Sequence, residues 1–114
     1  MLKSKIHRAT VTESNVEYAG SISIDSTLMV AADLIPFELV QVWNVTTGNR
    51  FGTYVIEALA DSGTICINGA AAHLANAGDL VIIASFVQLS KDELTAFKPR
   101  LVFVDRHNRI AQVK

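Results

Sequence analysis

The closeness of its turn signals is what most constrains this chain. Gly, Asn, Asp and Pro recur at short intervals along its 114 residues. The segments between them are too short for long helices, but their β-branched runs suit short strands. Lys3–Thr12 and Val16–Ile24 read as the first two strands. Asp25 and Ser26 then cap a short helix over Thr27–Asp33, stopped before Pro36. Glu38–Val45 runs into the turn Thr46-Thr47-Gly48-Asn49, and Arg50–Ala58 returns antiparallel to it. Asp61-Ser62-Gly63 leads into Thr64–Ile67, and Asn68–Leu74 reads as a helical turn. Gly78-Asp79 opens Leu80–Gln88, the most continuously apolar strand and on that ground the most buried. Ser90 and Glu93 form a capping-box pair for a short helix ending before Pro99, and Leu101–Val104 and Arg109–Val113 make a last pair. About seven short strands with few helices argue for a mainly β, compact barrel in one domain, 1–114, rather than a βαβ sheet.

Composition narrows the function classes. With 50% hydrophobic and 18% charged residues, the chain can bury a real core. Ten basic and 11 acidic residues leave a net charge of −1, with no surplus to neutralise phosphates, so no nucleic-acid partner is expected. The single Cys66 excludes an internal disulfide and suits a reducing, cytoplasmic setting. The longest apolar run, Leu80–Val87, already contains Ser85 and falls far short of the roughly 18 residues that span a bilayer. Lys3, Lys5, His7 and Arg8 are not followed by the apolar stretch of a signal peptide, so no membrane role is expected either. Surplus apolar surface on so small a domain points to a subunit interface.

Several motifs carry no function. Asn44-Val45-Thr46 spells a glycosylation acceptor without a secretory signal, and Lys91-Asp92-Glu93-Leu94 is an internal copy of a terminal retention string. Cys66, mid-strand between two isoleucines, reads as a buried inert thiol. His7, His73 and His107 lack metal-ligand spacing, and the six glycines never cluster into a phosphate loop, so no metal is expected.

Two stretches carry chemistry. In Glu17–Asp25 a Gly20-Ser21 bond interrupts a β-forming run, permitting unusual backbone angles there. In the strand from Arg50, Gly52 and Tyr54 share Arg50's face while Thr53 points the other way. Arginine can fork a carboxylate and a phenol can donate a proton. Taken singly, these are also what a glycine bulge, a surface arginine and a half-buried tyrosine look like.

Taken together, the segments resemble the pyruvoyl-dependent aspartate 1-decarboxylase family. The likeness runs from Lys5-Ile6-His7-Arg8-Ala9 through Tyr18-Ala19-Gly20-Ser21 and Ile24-Asp25 to Trp43-Asn44-Val45-Thr46, Arg50-Phe51 and Thr53-Tyr54. It continues in Asn68-Gly69-Ala70-Ala71-Ala72-His73 and in Gly78-Asp79 before Val81-Ile82-Ile83. Gly52 departs from the serine usual there. The resemblance implies a double-psi β-barrel, assembled as a homotetramer with sites between subunits. It implies decarboxylation of L-aspartate to β-alanine and CO₂, supplying pantothenate and coenzyme A synthesis, and no metal. It also implies that the chain cuts itself into residues 1–20 and 21–114, converting Ser21 into a covalent pyruvoyl cofactor that forms a Schiff base with the substrate amine. Ser21 would attack the Gly20 carbonyl, with Thr53 polarising it, and glycine at position 20 would relieve crowding in the strained intermediate. Tyr54 would reprotonate the α-carbon, and Arg50 would bind a substrate carboxylate. Lys5 and His7 would add positive potential, Thr53, Gly69, Ala70 and Ala71 would line the substrate, and Asn68 and Trp43 have weaker claims to the pocket. Two other readings stay open: a non-catalytic barrel module in which Gly20-Ser21 is only a bulge, and a relative acting on another small acidic amino acid.

Overall fold

A computed structural model describes all residues, 1–114. Its elements in chain order are β1 (Leu2–Thr10), β2 (Glu13–Asn15), β3 (Ser21–Asp25), α1 (Ser26–Ala31), β4 (Leu39–Asn44), β5 (Arg50–Ala58) and β6 (Ile65–Asn68). A 3₁₀ turn (Gly69–His73), β7 (Leu80–Phe86), α2 (Lys91–Leu94), β8 (Arg100–Val104) and β9 (Ile110–Val113) complete the chain. The strands pair in the order β2-β6-β3-β5-β4-β7-β1-β8-β9. Because β1 runs almost directly into β2, the two ends of the β2-to-β1 series are one stretch of chain, and the sheet curls into a barrel. The join is hydrogen-bonded on both sides: Val11 N–H donates to the Asp79 carbonyl and Thr12 N–H to the Ile65 carbonyl. The mainly β barrel expected from the turn spacing is what forms, with β8 and β9 added outside β1.

Parallel and antiparallel pairs are mixed around it. β3 lies parallel to β5 and antiparallel to β6, while β1 lies antiparallel to β7 and parallel to β8. The interior is filled largely by β-branched residues, which suit a pleated, enclosed surface. Ile6, Ile22, Ile24, Val40, Val42, Val55, Ile65, Ile67, Val81 and Ile83 are all buried. Each such side chain contributes about 1.5–3 kcal/mol relative to exposure.

Two expectations are corrected. The strand expected over Val16–Ile24 does not form as one piece: residues 16–20 are a turn, and Ser21 is the first residue of β3. Asn15 starts this turn by accepting Glu17 N–H on its side-chain oxygen, an Asx geometry that competes with extension of the strand. β7 is also not the most buried strand. Its burial alternates at its ends and Phe86 is exposed, whereas every residue of β6 is buried because β2 and β3 flank it and the 3₁₀ turn follows. The caps behave as read. Asp25 caps α1 by accepting from Thr27 N–H and also takes the Asp61 and Gly63 amides, tying the helix to the 61–63 turn. Ser90 and Glu93 form the reciprocal box of α2.

Candidate active site

Strand register brings the first group together. Ser21 on β3 lies directly opposite Asn68 on β6, and Ser23 opposite Cys66. Ile22 and Val55 are paired core residues of the parallel strands β3 and β5. Ser21 and Tyr54, one step earlier on each strand, therefore share the outward side as neighbours about 5 Å apart in backbone. Ser21 is nonetheless buried, with the residue 16–20 turn ahead of it and Asn68 beside it. The Asn68 amide nitrogen donates to Ser21 Oγ at 3.0 Å and to Ser23 Oγ at 3.1 Å, while the Cys66 thiol donates to Asn68 Oδ1 at 3.2 Å.

The backbone at Ser21 is strained. Its φ is +154°, a region that residues with a side chain seldom occupy and that costs on the order of 1–3 kcal/mol. Gly69, at φ +70°, sits against the preceding residue: a Cβ there would lie 2.7 Å from Gly20 Cα and 2.8 Å from Gly20 N. Only glycine lets the start of the 3₁₀ turn approach the Gly20 backbone this closely. At Gly20 itself, a Cβ would meet nothing within 4 Å. The crowding expected at position 20 is thus on the Gly69 side of the contact.

The second group lies on the outer face of the β5-β4-β7-β1 sheet. Lys5, Ala84, Gln41 and Gly52 form one row across the four strands. Tyr54 pairs with Leu39, and Arg50 pairs with Trp43 and stacks over its ring at 4.5 Å. Small Gly52 and Ala84 make the floor. A serine Cβ at position 52 would meet only the end of the Gln41 side chain, at 3.4 Å. Lys3 is the one lysine here with an acid, its ammonium 2.8 Å from Glu38. Lys5 and Arg50 form no salt bridge and remain free to receive an anion.

The chain does not bring all expected residues to one point. Arg50 and Tyr54 stand about 13 Å apart along β5, and β1 is four strands from β3 by way of β5, β4 and β7. Thr53 faces the interior side opposite Val40 and makes no hydrogen bond to Gly20. His7 packs edge-on against Phe103 at 5.3 Å. Burial, then Lys5 and Arg8, hold its pKa below the usual value of 6.5. That shift favours the neutral imidazole of His7. In the 3₁₀ turn Ala70 is exposed and Ala71 half-buried; the turn is fastened by Ser14 Oγ, which donates to the Ala72 and Ala75 carbonyls. Asn68, only a weak candidate from sequence, is the side chain that touches Ser21. Its signal was its place at a strand end just before Gly69. Cys66 shares its strand face two residues before Asn68, while only the β3–β6 register brings Ser23 to it.

An enclosed Ser21 with a strained backbone, Gly69 pressed against Gly20, a neighbouring phenol and an open cationic face together mark out this small β-barrel. The aspartate decarboxylase family profile matches residues 1–111. The chain is 58% identical to an aspartate 1-decarboxylase of Syntrophotalea carbinolica over 95% of its own length and 82% of that protein's. It is 53% identical to one from Legionella pneumophila, across 100% of this chain and 86% of that protein, and 54% identical to one from Chromobacterium violaceum, across 100% and 90%. This chain belongs to the aspartate decarboxylase family.

Proposed function

We propose that this chain decarboxylates L-aspartate at its α-carboxylate, giving CO₂ and β-alanine for pantothenate synthesis, with a pyruvoyl group made from its own Ser21. One observation carries the reading within this family: Ser21, at φ +154°, is held by Asn68 while Gly69 presses on Gly20. Decarboxylation leaves an electron pair that no ordinary side chain can accept, and a pyruvoyl carbonyl supplies that sink.

The chain's own atoms suffice to make it. Ser21 Oγ adds to the Gly20 carbonyl carbon, the C–N bond breaks, and the hydroxyl proton ends on the Ser21 nitrogen. Loss of the Ser21 α-proton then breaks the Cβ–Oγ bond and leaves Gly20 as a carboxylate. Water replaces the nitrogen, which departs as ammonia. The Asn68 N–H aimed at Oγ stabilises negative charge growing there, and relief of backbone strain favours the cut. The cut falls between β2 and β3, outside the strands, so residues 1–20 keep closing the barrel through β1 and β2.

In the reaction, Tyr54 O–H delivers the proton to the α-carbon from its position beside Ser21. Arg50, planar and held on Trp43, takes a substrate carboxylate, and Lys5 adds positive potential on the same face. The 3₁₀-turn backbone of Gly69, Ala70 and Ala71 lines the substrate. That face is uncovered in one chain: Phe37 is 77% exposed, Leu39 66% and Phe86 52%. Such a patch beside a site favours assembly of copies, here a homotetramer, that closes the site and brings the separated groups together. No helix is long and apolar enough to cross a membrane, and the single free thiol suits a cytoplasmic enzyme.

The test is product identification with purified protein given L-aspartate or L-glutamate. β-Alanine and CO₂ in equal amounts from aspartate, with little turnover of glutamate, is the expected result. No β-alanine from protein whose chain is fully cut would overturn the reading.

A further inference from the structure

Asn68 has three hydrogen-bonding partners in a buried pocket. Its two amide hydrogens match two hydroxyl oxygens, Ser21 Oγ and Ser23 Oγ, on one side. Its oxygen receives one hydrogen, from the Cys66 thiol, on the other. Turned by half a rotation, the same side chain would present Oδ1 to Ser21. An N–H facing Oγ stabilises the oxygen as its proton leaves, whereas a carbonyl facing it holds the proton on. The two orientations therefore have opposite effects on the attack at Gly20.

We propose that Cys66 is the positioning residue for this step: its S–H, donated to Asn68 Oδ1, keeps the amide nitrogen facing Ser21. The proposal rests on self-cleavage at Gly20-Ser21. Strand pairing fixes the parts, with Cys66 opposite Ser23 on β3 and opposite Glu13 on β2. Burial, together with the Glu13 carboxylate beside it, pushes the thiol pKa up from 9.0. The sulfur accordingly keeps its hydrogen, and Asn68 Oδ1 accepts it at 3.2 Å. A thiolate would instead attract Nδ2 and turn the amide the wrong way. This is a use for a thiol that is buried and unsuited to being a nucleophile.

The experiment follows cutting of freshly made, unprocessed full chain over time by intact mass, alongside thermal melting. Cys66→Ala should slow the appearance of residues 21–114 about tenfold, the loss expected from one hydrogen bond to a functional group. Cys66→Ser, which still donates, should restore the rate to within about threefold. In an Asn68→Ala background, Cys66→Ala should cause no further slowing, because it acts through Asn68. A parent chain that cuts while Cys66→Ala cuts equally fast would overturn the role of Cys66. So would slowing that Cys66→Ser fails to rescue, or slowing that persists in full without Asn68. A parent chain that never cuts would overturn the self-cleavage reading itself.

Discussion

The β3–β6 junction and the outer face of β5-β4-β7-β1 are built in opposite ways. At the junction, Ser21, Asn68, Ser23 and Cys66 hydrogen-bond to one another, Ser21 and Asn68 are fully enclosed, and the backbone is strained. On the outer face, Arg50 and Lys5 lack acid partners and the surrounding apolar side chains are open to water. Enclosure and satisfied hydrogen bonds are what an intramolecular backbone reaction requires, since reactive atoms must be held and water kept away. Unpaired cations and uncovered apolar surface are what binding an anionic substrate under a second subunit requires. In the proposed reading, a single chain thus carries the residues for making its cofactor and part of those for using it.

Substitutions should separate the two regions. The largest effect belongs to the junction. Ser21→Ala removes the attacking oxygen, so it should fold, keep the 1–114 chain whole and have no activity, read by mass and β-alanine assay. Tyr54→Phe lies at the border. It should be cut normally but turn over about 10²–10⁴-fold more slowly, with KM little changed. Slow conversion of the 21–114 end to an alanine-like species, visible by mass, would accompany the misplaced proton. Undiminished kcat would show that water or another group delivers it. Arg50→Ala should spare the cut and raise KM for aspartate about 10–150-fold, the worth of a charge-assisted pair. Unchanged kcat/KM would return Arg50 to an ordinary surface residue.

The smallest effect concerns the cation that is already paired. Burial alone would raise the Glu38 pKa, but hydrogen bonds from Lys3, Ser85 and the Ile35 amide outweigh it and hold it below 4.5. A depressed carboxyl contributes stability above its unfolded pKa and loses it as pH falls through the lower, folded one. Glu38→Gln should therefore melt a few degrees lower at pH 7, consistent with about 1 kcal/mol or less for a partly exposed pair. The difference should shrink as pH falls below 4.5 and through the lowered folded pKa. An equal difference at both pH values would point to lost packing rather than charge.

The barrel was legible because its signals are local. The turns at Thr46–Asn49 and Asp61–Gly63, the Asp25 and Ser90 caps and the β-branched runs each act within a few residues. The broken strand after Asn15 was not, because Val16 and Tyr18 have strand propensity and only the Asn15–Glu17 hydrogen bond turns the chain. Arg50, Gly52 and Tyr54 could be placed on one face by simple alternation, and Gly20-Ser21 stood out as a composition anomaly. Asn68 lies 47 positions from Ser21 and 45 from Ser23. Nothing in their spacing announces contact; strand register alone creates it. The Gly69–Gly20 approach was hidden for the same reason.

The central claim is that this chain makes its own cofactor at Gly20-Ser21, and intact mass of the purified protein before and after hydrazine treatment tests it most directly. The account predicts two associated chains, residues 1–20 ending in a free carboxylate and residues 21–114 with a blocked, hydrazine-reactive end. A fully active protein consisting only of unbroken 1–114, unaltered by hydrazine, would contradict it.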